Sequence, residues 1–209
     1  MTQPIPEVYI DFVRFMGHGL GELVLYHGAD FHIRSVITYH ANKYPNGPPK
    51  RYFLIGFSEE EPYENFYLDS EEQGEPNVVR FSTPHKKELW PEFLQQQEWL
   101  AYSLTELLFV KAYYEYHVST FANEQHLDAP EEVAGFIEKV APPLTLLGFQ
   151  RHPLSSKGVA YYERGDITAV AVHDLGRTPY LHLVAHNRSE LRKVTDILAE
   201  RLHLIPRRA

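Results

Sequence analysis

Three histidines in the C-terminal half carry the side chain that most often binds a transition metal. His182 and His186 stand four apart in the strand-like run Tyr180 to His186, so both project from one face, and His173 lies in the strand-like run before it. Three imidazoles gathered on one sheet could hold zinc. The motifs that usually accompany such chemistry do not occur here: there is no His-Glu-x-x-His helix, no Gly-x-Ser-x-Gly elbow and no Walker loop. The chain has no cysteine, which removes disulfides, thiolate nucleophiles and cysteine-based zinc sites together. Histidines scattered over a solvent face need no metal. These observations predict no catalytic residue, no metal and no cofactor, with a metal-dependent enzyme built on His173, His182 and His186 as an alternative.

A second candidate is Gly17-His18-Gly19-Leu20-Gly21, which has the look of a phosphate-binding loop. Such loops follow a strand and open a helix, whereas this one follows a helical pattern and precedes the strand-like Glu22 to Tyr26. A tight turn is the expectation.

The third candidate is electrostatic. Between Arg51 and Arg80 the chain carries Glu59, Glu60, Glu61, Glu64, Asp69, Glu71, Glu72 and Glu75 and not one Lys, Arg or His. Eight carboxylates repel one another, so either they lie apart in water or a positive partner meets them. Residues 1–122 hold 17 Asp and Glu against 9 Lys and Arg, a balance of −8, while residues 123–209 hold 11 of each. No basic stripe exists for phosphate, so nucleic acid is not expected as a ligand and a basic protein is. Tyr63 and Tyr67 are interleaved with the charges. The predicted partner-binding set is therefore Glu59, Glu60, Glu61, Tyr63, Glu64, Tyr67, Asp69, Glu71, Glu72 and Glu75, the rings supplying buried area and the charges steering approach. The N-terminal residues lack a basic region followed by an apolar run, and no stretch approaches the roughly 18 apolar residues of a membrane span, so a cytoplasmic chain without a membrane partner is expected.

The elements that must position these residues follow from periodicity. Pro6 to Met16 has helical spacing and stops at Gly17, and residues 31–44 suit a short helix ended by the Pro45 to Pro49 cluster. Tyr52 to Phe57, Asn65 to Asp69 and Asn77 to Phe81 read as strands joined by acidic connections. Ser103-Leu104-Thr105-Glu106 has the spacing of a capping box and opens an apolar, tyrosine-rich helix to about Val118. Apolar residues all round that helix predict burial on more than one side.

Thr120 to Leu127 is polar and reads as a linker, after which Asp128-Ala129-Pro130-Glu131 opens a helix ended by Pro142-Pro143. Strand-like runs follow at Leu146 to Arg151, Val159 to Glu163, Ile167 to Asp174 and Tyr180 to His186, and a last helix begins near Asn187 or Ser189. The expected fold class is α+β: an N-terminal domain over 1–122 with a mixed α/β architecture, and a small α-β-β-β-β-α antiparallel-sheet domain over 123–209. The two are expected to dock through the aromatic helix.

The N-terminal motifs also resemble a family. Ile5-Pro6-Glu7-Val8-Tyr9-Ile10-Asp11-Phe12, then Gly17 and Gly19, Phe53-Leu54-Ile55-Gly56, Phe66-Tyr67-Leu68-Asp69, Pro76-Asn77-Val78-Val79 and Leu100 to Leu108 are similar to the SUKH superfamily of the Smi/Knr type. The likeness covers residues 4–118. The family motif that Ile5 to Phe12 resembles is Leu-Pro-x-x-Tyr-x-x-Phe; the helix that often precedes it is not expected in the few residues before Pro6, and the segment from Asn123 onward matches nothing in the pattern. The resemblance implies a binding domain, commonly an immunity protein that neutralises a cognate bacterial toxin, or in fungal relatives a regulatory adaptor. Neither role is catalytic. Many such toxins are basic nucleases, which agrees with the acidic sign of residues 1–122.

Overall fold

The computed structural model describes residues 5–43, 47–58, 60, 63–70, 75–82, 84, 86–130, 134–173 and 178–207. The chain is α+β and divides into two compact units, Met1–Lys111 and Ala112–Ala209. The division falls inside one helix, eleven residues before the boundary that the sequence suggests at 122/123.

In the first unit, α1 (Glu7–Met16) starts at Pro6, whose φ of −57° is already helical, and ends where Gly17 N–H donates to Val13 O; Tyr9 and Phe12 form its buried face. The glycine turn after it leads to no strand. Leu23 and Leu25 are buried and Val24 is exposed, an alternation that mimics a strand, but Leu23 N–H donates to Leu20 O in a turn and Glu22 to Tyr26 pairs with no sheet. β1 (Ala29–Asp30) and α2 (Ile33–Lys43) follow. The strands β2 (Tyr52–Ser58), β3 (Glu64–Asp69) and β4 (Asn77–Ser82) fall where their apolar runs predict, and α3 (Trp90–Gln95) and β5 (Glu98–Ala101) were not foreseen. All five strands form one antiparallel sheet in chain order, β1-β2-β3-β4-β5.

One face of this sheet is an aromatic core. Tyr67 stacks on Phe81 with ring centroids 4.3 Å apart, and Tyr52, Leu54, Val79 and Trp90 close around them. Ser103 caps the helix as expected, its Oγ accepting from Glu106 N–H at 2.9 Å, while Glu106 Oε2 reaches one residue past the cap to accept from Tyr102 N–H at 2.6 Å, opening α4 (Leu104–Tyr116). Leu104 and Leu107 near its start are buried.

The second unit begins with the last turns of α4. The polar segment expected as a linker contains β6 (Asn123–Asp128), a full strand. α5 (Phe136–Leu146) starts after Gly135, held at φ +66°, and not at Asp128, which closes β6. It runs through Pro142 and Pro143 where the sequence predicts a stop. Each proline withdraws an N–H, which removes the helical donors to the Glu138 and Lys139 carbonyls, and the fully buried Val140 and Leu144 hold the helix against the core.

After β7 (Gln150–Arg151) come β8 (Val159–Arg164), β9 (Ile167–Val172) and β10 (Tyr180–Ala185), then α6 (Arg188–Leu202) and β11 (Ile205–Pro206). Gly165, at φ +52°, makes the β8–β9 hairpin where Arg164-Gly165-Asp166 predicts a turn. The second sheet is antiparallel throughout, ordered β11-β6-β10-β9-β8-β7. One face presents Ala160, Ala169 and Ala171 beside Leu181 and Leu183; these small residues let α5 and α6 seat Phe136, Ile137, Val194 and Leu198 closely on the sheet. The opposite face carries Tyr161, Thr168 and His182 under the end of α4, where Tyr113 Oη donates to Glu163 Oε1 at 2.8 Å and His117 Nε2 lies 2.9 Å from Thr168 Oγ1. Among the described residues no helix is long and apolar enough to cross a membrane.

Candidate functional site

The meander of the first sheet puts the β2–β3 and β3–β4 connections at opposite ends of β3, about 17–20 Å apart, so the described Glu60 and Glu75 do not share a patch. Glu59, Glu61, Glu71 and Glu72 lie outside the described residues. The others are put to different uses. The Asp69 carboxylate is buried, and Arg51 Nη2 donates to its Oδ2 at 3.1 Å. Arg80 is 2.7 Å from Glu64 and also pairs with Glu98. Glu75 Oε1 accepts from Thr105 N–H at 3.1 Å and from Thr105 Oγ1 at 2.9 Å, fixing an otherwise orphaned amide at the start of α4.

The run without a basic residue is thus neutralised in part by the two arginines that bound it. Arg51 precedes β2, whose Tyr52 stands opposite Asp69, and Arg80 stands on β4 opposite Phe66, two positions from Glu64. Asp69 is therefore not a partner-binding residue, because a carboxylate 2% exposed and already paired cannot meet another protein. Tyr67 is corrected likewise: its ring has no exposed surface and belongs to the aromatic core. Alternation on β3 with both faces covered explains the error, since the segment is buried throughout from Asn65 to Asp69. Exposed among the described residues of the set are Glu60, Tyr63, the latter at 60%, and Glu75, whose Oε1 is engaged by Thr105. Glu60 is placed by Gly28, which at φ +72° leaves room beside it; a Cβ there would stand 2.6 Å from Glu60 Oε2. Ser58 Oγ receives the Glu60 N–H at 3.2 Å.

The first unit also holds a cavity of about 420 Å³ bordered by Tyr9, Val36, Tyr52 and Leu54, with His40 and Lys50 as its basic members. Its lining is otherwise apolar.

The histidine trio does not assemble. A strand advances about 3.3 Å per residue, so His182 and His186 share a face yet stand about 13 Å apart, too far for one ion. His186 stacks instead on Phe121 with centroids 4.5 Å apart, and His173 lies past the end of β9, its N–H donating to Gly158 O at 2.8 Å. His182 has other neighbours. It stands directly opposite His126 of β6, and Glu124, two positions earlier on β6, shares their face. The two imidazoles stack at 4.0 Å with planes 8° apart. His182 Nε2 is 3.1 Å from Glu124 Oε2, and its Nδ1 is 3.4 Å from Tyr114 Oη.

Burial pushes the His182 pKa down to about 4, with the adjacent His126 adding to the effect and Glu124 opposing it. His126 is also lowered, by burial first and then by the Arg207 charge. Burial raises the Tyr114 hydroxyl, which stays protonated. Sequence reasoning missed Glu124 and His126 because their segment reads as a linker; the signal was Glu-x-His, a period-two pair that becomes one-sided only on a strand. No known family model, no curated protein and no solved structure matches this chain.

Proposed function

We propose that the first unit is a protein-binding module and that the chain serves as an immunity protein, neutralising a cognate basic bacterial toxin in the cytoplasm by direct contact. Tyr63 carries this reading. Its ring is 60% exposed just before β3, whose Asn65 and Phe66 are buried in the sheet, and Glu60 lies exposed in the same connection. An exposed aromatic ring and a carboxylate in one connection supply the two things a tight interface uses, buried area and electrostatic steering. The order of elements supports the SUKH resemblance: a helix from Pro6, a glycine turn, β2 with its small Gly56, Asp69 at the end of β3, and a closing helix after Ser103. The acidic balance of residues 1–122 fits a basic partner.

The test uses the product of the neighbouring toxin gene. In the folded full-length chain, Glu60→Lys slows association and flattens its salt dependence, and Tyr63→Ala weakens binding by about 2 kcal/mol, a loss expressed mainly in dissociation. Glu75→Gln, at the other end of the sheet, leaves the affinity unchanged. If the Glu60→Lys, Tyr63→Ala double variant is folded and protects as well as the natural sequence, the interface lies elsewhere.

A further inference from the structure

Three groups able to bind a metal converge on one face of the second sheet. One ligand atom each from Glu124, His126 and His182 lies within 4.8 Å of the other two. Ligands about 2.1 Å from a tetrahedral zinc ion stand about 3.4 Å apart, so the widest pair closes by up to about 1.4 Å, within reach of side-chain rotation. The backbone already supplies the alignment. His126 and His182 are direct cross-strand partners, and Glu124 sits two residues away on the same face of β6.

The surroundings are those of a ligand set more than of a core histidine pair. His182 Nδ1 is engaged by Tyr114 Oη at 3.4 Å, which leaves Nε2 as the atom that faces the Glu124 carboxylate at 3.1 Å. A hydrogen bond to the second ring nitrogen is how proteins orient a metal-binding imidazole. In the tautomer whose Nδ1–H donates to Tyr114 Oη, Nε2 holds a lone pair beside the Glu124 carboxylate, the arrangement a cation completes; in the other, Tyr114 Oη donates to Nδ1 and Nε2–H to Glu124, and titration with zinc separates the two. His126 Nδ1 is buried with no hydrogen-bond partner. Glu124 is 69% exposed and hence free to move inward, and it gives the site a route to solvent. The nearby Arg207 is matched by Asp128, whose Oδ2 accepts from Arg207 Nε at 3.0 Å.

We propose that Glu124, His126 and His182 form a binding site for one divalent transition-metal ion of the zinc class, with Tyr114 as the positioning residue for His182. Two imidazoles and a carboxylate match the donors found in three-ligand zinc sites, which keep further positions open to water or an incoming group. Binding rotates the His126 ring out of its parallel stack, because an ion cannot lie in the planes of two imidazoles stacked 4.0 Å apart. The site is independent of the Glu60 and Tyr63 patch.

The full-length chain, prepared without a histidine tag and stripped with chelator, is titrated with zinc against a chromogenic chelator and with cobalt(II) followed by absorption. One equivalent of either ion per chain is expected. Glu124→Gln and His126→Gln, both at positions with some exposure, each weaken binding at least about tenfold, and Tyr114→Phe, which removes no ligand, weakens it about tenfold. His173→Gln and His186→Gln leave the isotherm unchanged. His182→Gln abolishes binding; should that variant misfold, the two β6 variants carry the test with circular dichroism as their control. Imidazole nitrogen resonances of His182 and His126 shift on zinc addition if they are ligands. Absence of saturable binding, or binding equal in the Glu124→Gln, His126→Gln double variant, overturns the proposal.

Discussion

Gly56 sits in β2 just after a register shift, and the ring of Phe31 lies against it so closely that a Cβ at residue 56 would be 2.5 Å from both Cδ1 and Cε1. Ordinary carbon contacts begin near 3.4 Å, so Gly56→Ala obliges the ring to retreat by about 0.9 Å. It has nowhere easy to go. Phe31 is 5% exposed and Phe66, 1% exposed, stands behind it with centroids 5.0 Å apart. Overpacking of this kind costs about 1–3 kcal/mol, and the smaller backbone entropy of alanine in the unfolded chain offsets about 0.4–1 kcal/mol of it. The net expectation is a destabilisation of about 1–2 kcal/mol, or a fall in Tm of roughly 5–15 °C for a unit of this size. Both tryptophans, Trp90 and Trp99, belong to the first unit, so urea unfolding followed by tryptophan fluorescence reads that unit alone. Phe31→Leu makes room, and in that background Gly56→Ala should cost at least about 1 kcal/mol less. If the substitution costs under about 0.5 kcal/mol, or the same amount in both backgrounds, the close approach of Phe31 is not what requires glycine here.

Two further outcomes concern the second unit. The folded pKa of His182, about 4, lies below the ordinary histidine value of 6.5, so the unfolded chain takes up the proton first; stability from this group is complete above about pH 6.5 and drains away as pH falls towards about 4. Urea unfolding followed by tyrosine fluorescence across that window should show the loss, and His182→Gln should flatten it; an unchanged slope would refute the neutral buried imidazole. Asn187 Oδ1 accepts from Ser189 N–H at 2.9 Å and Glu190 N–H at 3.2 Å at the start of α6, so Asn187→Ala should lower stability by about 1 kcal/mol while Asn187→Asp retains most of it, as measured by thermal circular dichroism.

Elements whose identity is written in their own residues were legible. The Ser103-x-x-Glu106 box, Pro6 before and Gly17 after α1, and the apolar runs of β2, β3, β4, β8, β9 and β10 all name structures that need little from elsewhere. β6 is the contrary case. Asn-Glu-Gln-His-Leu-Asp has one apolar residue, Leu127, and no strand propensity to advertise it, yet it is held between β10 and β11 with six paired positions on the β10 side. Its order comes from its neighbours, which no local pattern reveals. The same cause hid α5's passage through Pro142-Pro143, where the buried Val140 and Leu144 hold the helix against the core despite two lost backbone donors.

The consequences for function run through register. Reading residues 120–127 as a linker removed Glu124 and His126 from consideration and left His182 to be grouped with His186 by face alone, although a strand separates them by about 13 Å. Face is a matter of parity and is visible in sequence; distance across a sheet depends on which strand lies beside which, and that is fixed only when the chain folds. The acidic run failed for a related reason. Arg51 and Arg80 delimit it in sequence, but antiparallel pairing folds those ends back onto its middle, setting Arg51 on Asp69 and Arg80 on Glu64. Part of a charge segment that looks unbalanced along the chain is thereby paired across the sheet, and among its described members Glu60, Tyr63 and Glu75 stay exposed.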